Sequence, residues 1–388
     1  MSKASFEIPV SPAVIRWARQ TAGWDVHDIA KRVRIPPAAY TEWESKETAI
    51  KLSQLQELAR CFKRPLSAFL LNEPPKEPGP PADFRLLPGR IKHFDKKTRL
   101  AIRKANRLQM IASELMNNVG QDPTPILSTA KTSDNPEEVA QHERKRLEVD
   151  LQTQFDWRFP WDAYRAWRNA VEEKNVLLFQ FPMPVADARG FSLSNEQPFA
   201  VVVSSSDAVN ARIFTLFHEY AHLLLRNPGI CLPSSEPSAN RPEGLVERWC
   251  NRFAGALLIP RDALQDLVGN KRLDRSRESL TEVLASISKM FKVSEEAALV
   301  RIFELGLLSR AAFRRELDEL HQSGSGRRRG GGRSSMAGRC LSENGRLFTS
   351  LVLQAKGRNV ITYADVSDYL SLKLKYLPEV QTSLLAVA

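Results

Sequence analysis

His218, Glu219 and His222 stand in the order H-E-x-x-H. On a helix, residues four apart lie one above the other, so both imidazoles can grip one ion while Glu219 sits beside that ion without being aimed at it. Those are the parts of a zinc peptidase. Zinc with an open coordination position lowers the pKa of its water to about 7, and an adjacent carboxylate can take that proton and return it to the leaving amine. A pattern with three fixed positions also arises by chance on solvated helices. The neighbours argue against chance here: Ile213, Phe214, Leu216, Phe217, Ala221, Leu223, Leu224 and Leu225 make the stretch apolar nearly all round. Such a helix is expected to be buried, and buried imidazoles and carboxylates are costly unless something such as a cation satisfies them.

Two histidines leave a catalytic zinc one protein ligand short. Three acids downstream compete for the place: Glu236, Glu243 and Glu247. The first two lie in LPSSEPSANRPEG, a Pro- and Ser-rich stretch whose backbone local sequence does not fix. Glu247 belongs to LVERWCNRFAGALLIP, an amphipathic helix that Pro260 ends, and it shares a face with Asn251 at i, i+4. Glu247 can therefore be the third ligand, with Asn251 behind it, although a helical Glu is as often merely solvated. Spacing alone leaves that open.

The elements that must position these groups follow from periodicity. Runs VLLFQF, RGFSL and PFAVVVSS are strand-like and precede the helix NARIFTLFHEYAHLLLR, and helical stretches flank them on both sides. That pattern implies an α+β domain of the zincin kind, and PFAVVVSS is expected to offer an edge along which an extended peptide could add. Before it, residues 11–71 read as five short amphipathic helices, an all-α module. DVHDIAKRV and PPAAYTEWESKE have the length and apolar spacing of a helix-turn-helix, with Ala30, Val33, Tyr40 and Trp43 as packing residues and Trp17 and Trp24 as further core.

The expected recognition helix runs from about Pro37 to Glu44, which puts Pro37, Ala38, Thr41 and Glu42 near the bases. None of these is the Arg, Lys, Asn or Gln that makes bidentate base contacts, and Glu42, Glu44 and Glu47 would repel phosphate. Lys31, Arg32 and Arg34 could still hold the backbone without reading sequence. Weakly specific DNA binding and a protein-docking module that kept the fold both remain open.

The chain of 388 residues, 43% hydrophobic and 26% charged, has material for more than one domain. We place the helix-turn-helix domain at 1–74, a Pro-rich linker at 75–95, the metal-binding domain at 96–310, and a basic Gly/Arg linker with a small mainly helical region at 311–388. The net charge of +11 suits a polyanionic partner, although Arg327, Arg328, Arg329 and Arg333 lie in a Gly-rich stretch and account for part of it. Four scattered cysteines give no C-x-x-C pair, the first residues lack a signal-peptide core, and no run is long enough to span a bilayer. A soluble cytoplasmic protein is expected.

These segments together resemble the ImmA/IrrE metallopeptidases. The likeness is carried by RGFSL, FTLFHEYAHLLL, ERWCNRFAGALLIP and FKVSEEAALVRIFELGLL, and by RPLSAFLLNEPP and ADFR at the junction with an XRE-type helix-turn-helix. It implies zinc, one ion per chain, with Glu247 as third ligand and Glu219 as the catalytic residue. It also implies cleavage of a transcriptional repressor that controls a mobile element or stress genes. Two departures stand out: Tyr220 and Ala221 where relatives have Leu-Gly, and SSSD after the β-run where relatives carry Asn. The expected protein is a zinc metallopeptidase acting on a regulatory protein, with DNA as a weakly specific partner and homo-oligomers allowed. The alternative is a DNA-binding regulator or antitoxin whose metal domain is a sensor or interaction module.

Overall fold

In the computed structural model, residues 6–75, 94–226, 230–231, 242–269, 277–323 and 335–385 are described. Residues 76–93 of the Pro-rich linker, residues 324–334 with the basic run, and the side chains of Glu236 and Glu243 lie outside those residues. The chain divides into two compact units, Met1–Arg107 and Leu108–Ala388.

In the first unit the apolar periodicity becomes four helices: α1 (Pro12–Ala22), α2 (Val26–Val33), α3 (Pro37–Trp43) and α4 (Leu52–Phe62). A short 3-10 turn, Leu66–Leu70, follows. Local chemistry sets the breaks. Gly23 ends α1 in the left-handed region at φ +69°, and Asp25 then accepts the His27 N–H at 2.7 Å to start α2. Val14, Ile15, Ala18, Ile29, Ala30, Tyr40 and Phe62 make the core, with Trp17 and Trp24 packed on it as half-buried residues. One feature lay outside the helical pattern: β1 (Glu7–Val10) pairs antiparallel with β2 (Thr48–Lys51). A four-residue ribbon is too short to show as alternation in sequence.

The second unit takes in α5 (Lys96–Asn118) from Leu108 onward and continues with α6 (Pro136–Arg146), α7 (Leu151–Asp156) and α8 (Pro160–Glu172). Strands β3 (Leu177–Phe181), β4 (Gly190–Leu193) and β5 (Ala200–Ser204) precede the long helix α9 (Val209–Leu224). Then come β6 (Ile230–Cys231), α10 (Pro242–Leu258), α11 (Arg261–Val268), α12 (Arg277–Phe291), α13 (Glu295–Glu304) and α14 (Arg310–Ser323). Last are α15 (Met336–Asn344), α16 (Arg346–Gly357), α17 (Tyr363–Tyr369) and α18 (Leu377–Leu385).

The sheet order is β3-β5-β4-β6, with β3 and β5 parallel and β4 antiparallel to both of its neighbours. Every residue of β3, β4 and β5 is buried, as continuous apolar runs require when both faces are covered. Leu178, Val201 and Val203 join Leu216, Phe217 and Tyr220 of α9 in one core. On the other face the Phe179 ring packs edge-on against Phe348 of α16 at 5.7 Å. This topology corrects one expectation. PFAVVVSS offers no edge for a peptide, because β5 is hydrogen-bonded on both sides, to β3 and to β4.

Candidate metal centre

The apolar surround of H-E-x-x-H buries α9, and its histidines are 1% exposed and Glu219 fully enclosed. The donor atoms converge. Nε2 of His218 and Nε2 of His222 are 3.3 Å apart, and Glu247 of α10 places Oε2 3.2 Å from the first and Oε1 3.3 Å from the second. The two imidazole nitrogens thus stand about one tetrahedral edge apart for metal bonds of about 2.0 to 2.1 Å, and the Glu247 carboxylate straddles them, one oxygen toward each, so all three side chains could hold one ion. The nitrogen and oxygen donor set also suits zinc.

Helix α10 is fixed by what surrounds Glu247. Trp249 donates from its indole N–H to the carbonyl of Asp134 at 2.8 Å, and it stacks on Phe253 at 5.5 Å. Phe253 stacks in turn on Tyr220 of α9 at 6.3 Å, whose hydroxyl donates to Glu143 of α6 at 2.6 Å. Tyr220, one of the departures from the family pattern, thus ties the metal helix to α6 and leaves the ligand spacing intact. Asn251 meets Nδ1 of His218 through Oδ1 at 2.9 Å. The buried Cys250 thiol and His222 interact, each shifting the other's pKa.

The electrostatics favour one positive charge at the centre. Burial alone would raise the Glu247 carboxyl, but hydrogen bonds with His218 and His222 outweigh it and hold the group far below the usual carboxylate range. Burial also opposes protonation of His222, yet Cys250, Glu247 and Glu219 together hold its pKa well above the ordinary value. Glu219 differs. Burial pushes it up to about 7, against the pull of His222 and His218 and a hydrogen bond from Ser192. A carboxyl near neutrality can both accept and give back a proton at working pH.

Gly190 of β4 lies over Glu219, at a place where Thr215 and the Val202 carbonyl leave no room for a side chain. A Cβ at that position would stand 2.5 Å from Thr215 Cγ2, 2.8 Å from the Val202 carbonyl oxygen and 3.4 Å from Glu219 Cγ. Sequence reasoning did not single out Gly190, Ser192 or Cys250. The register of Cys250, three residues after Glu247 and next to Asn251 on one helical face, was the available signal.

In the first unit, Lys31, Arg32 and Arg34 are exposed, Arg34 in the left-handed region at φ +61°, and Arg32 pairs with Glu57 at 2.7 Å. On α3, Ala38 and Thr41 are exposed, but the Thr41 hydroxyl donates back to the Pro37 carbonyl at 3.1 Å and Glu42 pairs with Lys46. Glu44 was expected to repel phosphate. Instead it is buried and bound by Arg19 at 2.6 Å, so it presents no charge to a ligand.

A family model described as IrrE N-terminal-like domain, of a peptidase family, matches residues 171–303, and a helix-turn-helix model matches residues 15–69. The chain joins an XRE-type helix-turn-helix domain to an IrrE-like peptidase-family domain. The IrrE-like match spans every residue of the metal cluster and of the α9 and α10 frame that holds it. No curated protein matches the chain. Among the described residues, no helix is long and apolar enough to cross a membrane.

Proposed function

We propose that the protein is a zinc-dependent peptidase that cleaves a regulatory protein, with a helix-turn-helix that brings it to DNA or to that target. The observation that carries this reading is the convergence of His218, His222 and Glu247 at 3.2 to 3.3 Å beside the enclosed carboxyl of Glu219. His218, His222 and Glu247 would hold the ion, with Asn251 orienting His218. Zinc bound there supplies a Lewis acid and acidifies water at its open position.

The rest is the work of the chain. Glu219, poised near neutrality, accepts a proton on its carboxylate and returns it to the departing amine. Ser192, by its hydrogen bond to Glu219, fixes the orientation of that carboxyl. The apolar packing of α9 and α10 excludes bulk water from behind the site, which strengthens each polar contact within it. A transcriptional repressor is the substrate class we favour, because a helix-turn-helix on the same chain would concentrate the peptidase where repressors bind.

Glu219→Gln tests the reading. It should retain zinc at wild-type content yet lose cleavage of a co-expressed repressor, because an amide cannot take up the proton. Loss of zinc along with activity would contradict the assigned role. Zinc retention with no cleavage by either form, across the repressors encoded nearby, would favour a regulator whose metal domain senses or docks.

A further inference from the structure

We infer that the cleft at the far end of β4 and α9 from Gly190 is a subsite for a carboxylate of the peptide substrate, with Arg226 as the group that binds it. The inference rests on the peptidase reading above and names what that site selects. Gly190 stands against Thr215 and Glu219, and farther along the strand Ser194 shares a cleft with Arg226, which follows the end of α9. Strand and helix therefore run side by side in one direction, and the cleft lies just beyond the catalytic stretch. It has a volume of about 720 Å³, and Asn195, Glu196, Gln197 and Phe199 also line it. From Glu219 to Arg226 a helix rises about 10 Å, a distance that an extended peptide covers in about three residues. A peptide held with its scissile bond at Glu219 thus reaches the cleft with a side chain close to that bond, or with its own terminus.

Arg226 is placed to bind a planar anion. Its guanidinium lies over the ring of the buried Phe199, 4.7 Å from the centroid, which holds it without a hydrogen-bond acceptor. Its backbone is fixed by an N–H bond to the Leu223 carbonyl at 3.1 Å. Arg189 and Arg301 of the same unit are spent on Asp207 and Glu137, whereas among the described residues no carboxylate pairs with Arg226. The fork of N–H donors that a guanidinium presents matches both oxygens of a carboxylate. Ser194 adds a hydroxyl that is enclosed and has no hydrogen-bond partner among the described residues, so turning it toward a ligand would break no bond. Glu196 is exposed on the same rim. Its charge works against an anion, and removing that charge should tighten binding.

The test is binding, read by fluorescence anisotropy on the full-length chain without added metal, so it does not depend on cleavage. The probes are short dansyl-labelled Ala/Ser peptides. One carries a mid-chain Glu and an amidated end, two more replace that Glu by Gln or by Lys, and a fourth has no acidic side chain but a free terminal carboxylate. The wild type should bind the Glu peptide or the free-ended peptide at least about fivefold more tightly than the Gln peptide. Which of the two it prefers tells a side chain from a chain end. Arg226→Gln should erase the preference while unfolding within a few degrees of the wild type, Ser194→Ala should reduce it, and Glu196→Gln should increase it. Equal or undetectable binding of all four peptides, preference for the Lys peptide, or a preference that survives Arg226→Gln would each overturn the inference. Cleavage by the zinc-loaded chain with no carboxylate near the cut would overturn it too, while leaving the peptidase reading intact. Arg226-dependent binding without cleavage would uphold the carboxylate site and count against the peptidase.

Discussion

The faces of α9 and α10 that meet at the metal cluster and the exposed face of α3 are both short stretches of helix that ought to carry function, yet they treat polar side chains in opposite ways. At the cluster, His218, Glu219, His222 and Cys250 are buried, and each is held by another polar group. Burying such groups is costly, and it persists only where partners or a cation compensate. On α3 the outward positions are Ala38, a Thr41 hydroxyl spent on its own helix, and a Glu42 paired with Lys46. Nothing there is costly to keep. The difference is that costly burial of polar groups is concentrated at the cluster, whereas the exposed positions of α3 carry none of it.

The largest effect expected from this contrast is at the third ligand. Glu247→Ala removes the one carboxylate among the three converging donors of the described residues and should take zinc content from near one ion per chain to near none. Glu236→Ala and Glu243→Ala should leave it near wild type. Metal analysis of the three purified variants decides this, and full occupancy in Glu247→Ala would break the comparison at its stronger end.

A raised carboxyl pKa is not by itself a mark of the site, and Glu172 shows why. It lies outside the cluster and accepts the backbone N–H of Leu347 at 3.0 Å, yet burial pushes it up to about 7, as it does Glu219. Its folded pKa stands above the ordinary value of 4.5, so between those values the folded chain keeps a proton that the unfolded chain has released. The stability this provides is present below about pH 4.5 and is lost as pH rises to about 7, by up to about 3 kcal/mol. Glu172→Gln, neutral throughout, should therefore flatten the fall in stability between about pH 5 and 7.5, as read by urea unfolding of the metal-free protein. An unchanged slope would show that Glu172 is ionised in the fold, and would weaken the parallel argument for Glu219.

Next in size is Gly190. The Val202 carbonyl that a Cβ would meet at 2.8 Å belongs to the central strand and cannot swing away, and Thr215 Cγ2 at 2.5 Å is a stiff β-branched group. Gly190→Ala should destabilise by about 1 to 3 kcal/mol through overpacking. Gly357→Ala, with nothing within 4 Å of the new methyl, is the neutral control. A tolerated Gly190→Ala would mean that Thr215 and the β4–β5 pairing yield to the new methyl.

Much of the second unit was legible because its signals are local. H-E-x-x-H fixes a face, and the apolar residues around it fix burial. Glu247 was legible as a helical acid with an i+4 partner, but its meeting with two histidines depends on how α10 crosses α9, which no spacing reports. The same holds for β5. Its hydrophobic run suits an edge or a centre equally, and only the return of β4 alongside it shows that both sides are taken. Cys250 and Ser192 were missed because a single buried cysteine or serine is usually inert, and what distinguishes these two is the residue each touches. In the first unit, the charge of Glu44 was misplaced for a related reason. Its pairing with Arg19 spans 25 residues of chain, and a helical wheel carries no information about it.

The smallest expected effects lie on the helix-turn-helix, and they test the comparison at its weaker end. If this unit binds DNA through phosphate, affinity should fall steeply with salt, and each cation that neutralises a phosphate should contribute about 0.9 to the slope of log affinity against log salt. Lys31→Ala should then weaken binding to unrelated duplexes equally and lower the slope by about one, because such contacts position without reading sequence. Arg32→Ala should do less, since Arg32 already pairs with Glu57 at 2.7 Å. Thr41→Ala should do least. Its hydroxyl is engaged by Pro37, so its loss should leave both affinity and sequence preference within about twofold. Fluorescence anisotropy with several duplexes at graded salt measures all three. A tight, sequence-selective complex that persists at about 200 mM salt, or a base preference relaxed by Thr41→Ala, would show that α3 reads DNA after all. Specificity would then reside in both units, and a chain that acts chiefly as a DNA-binding regulator would become the better reading.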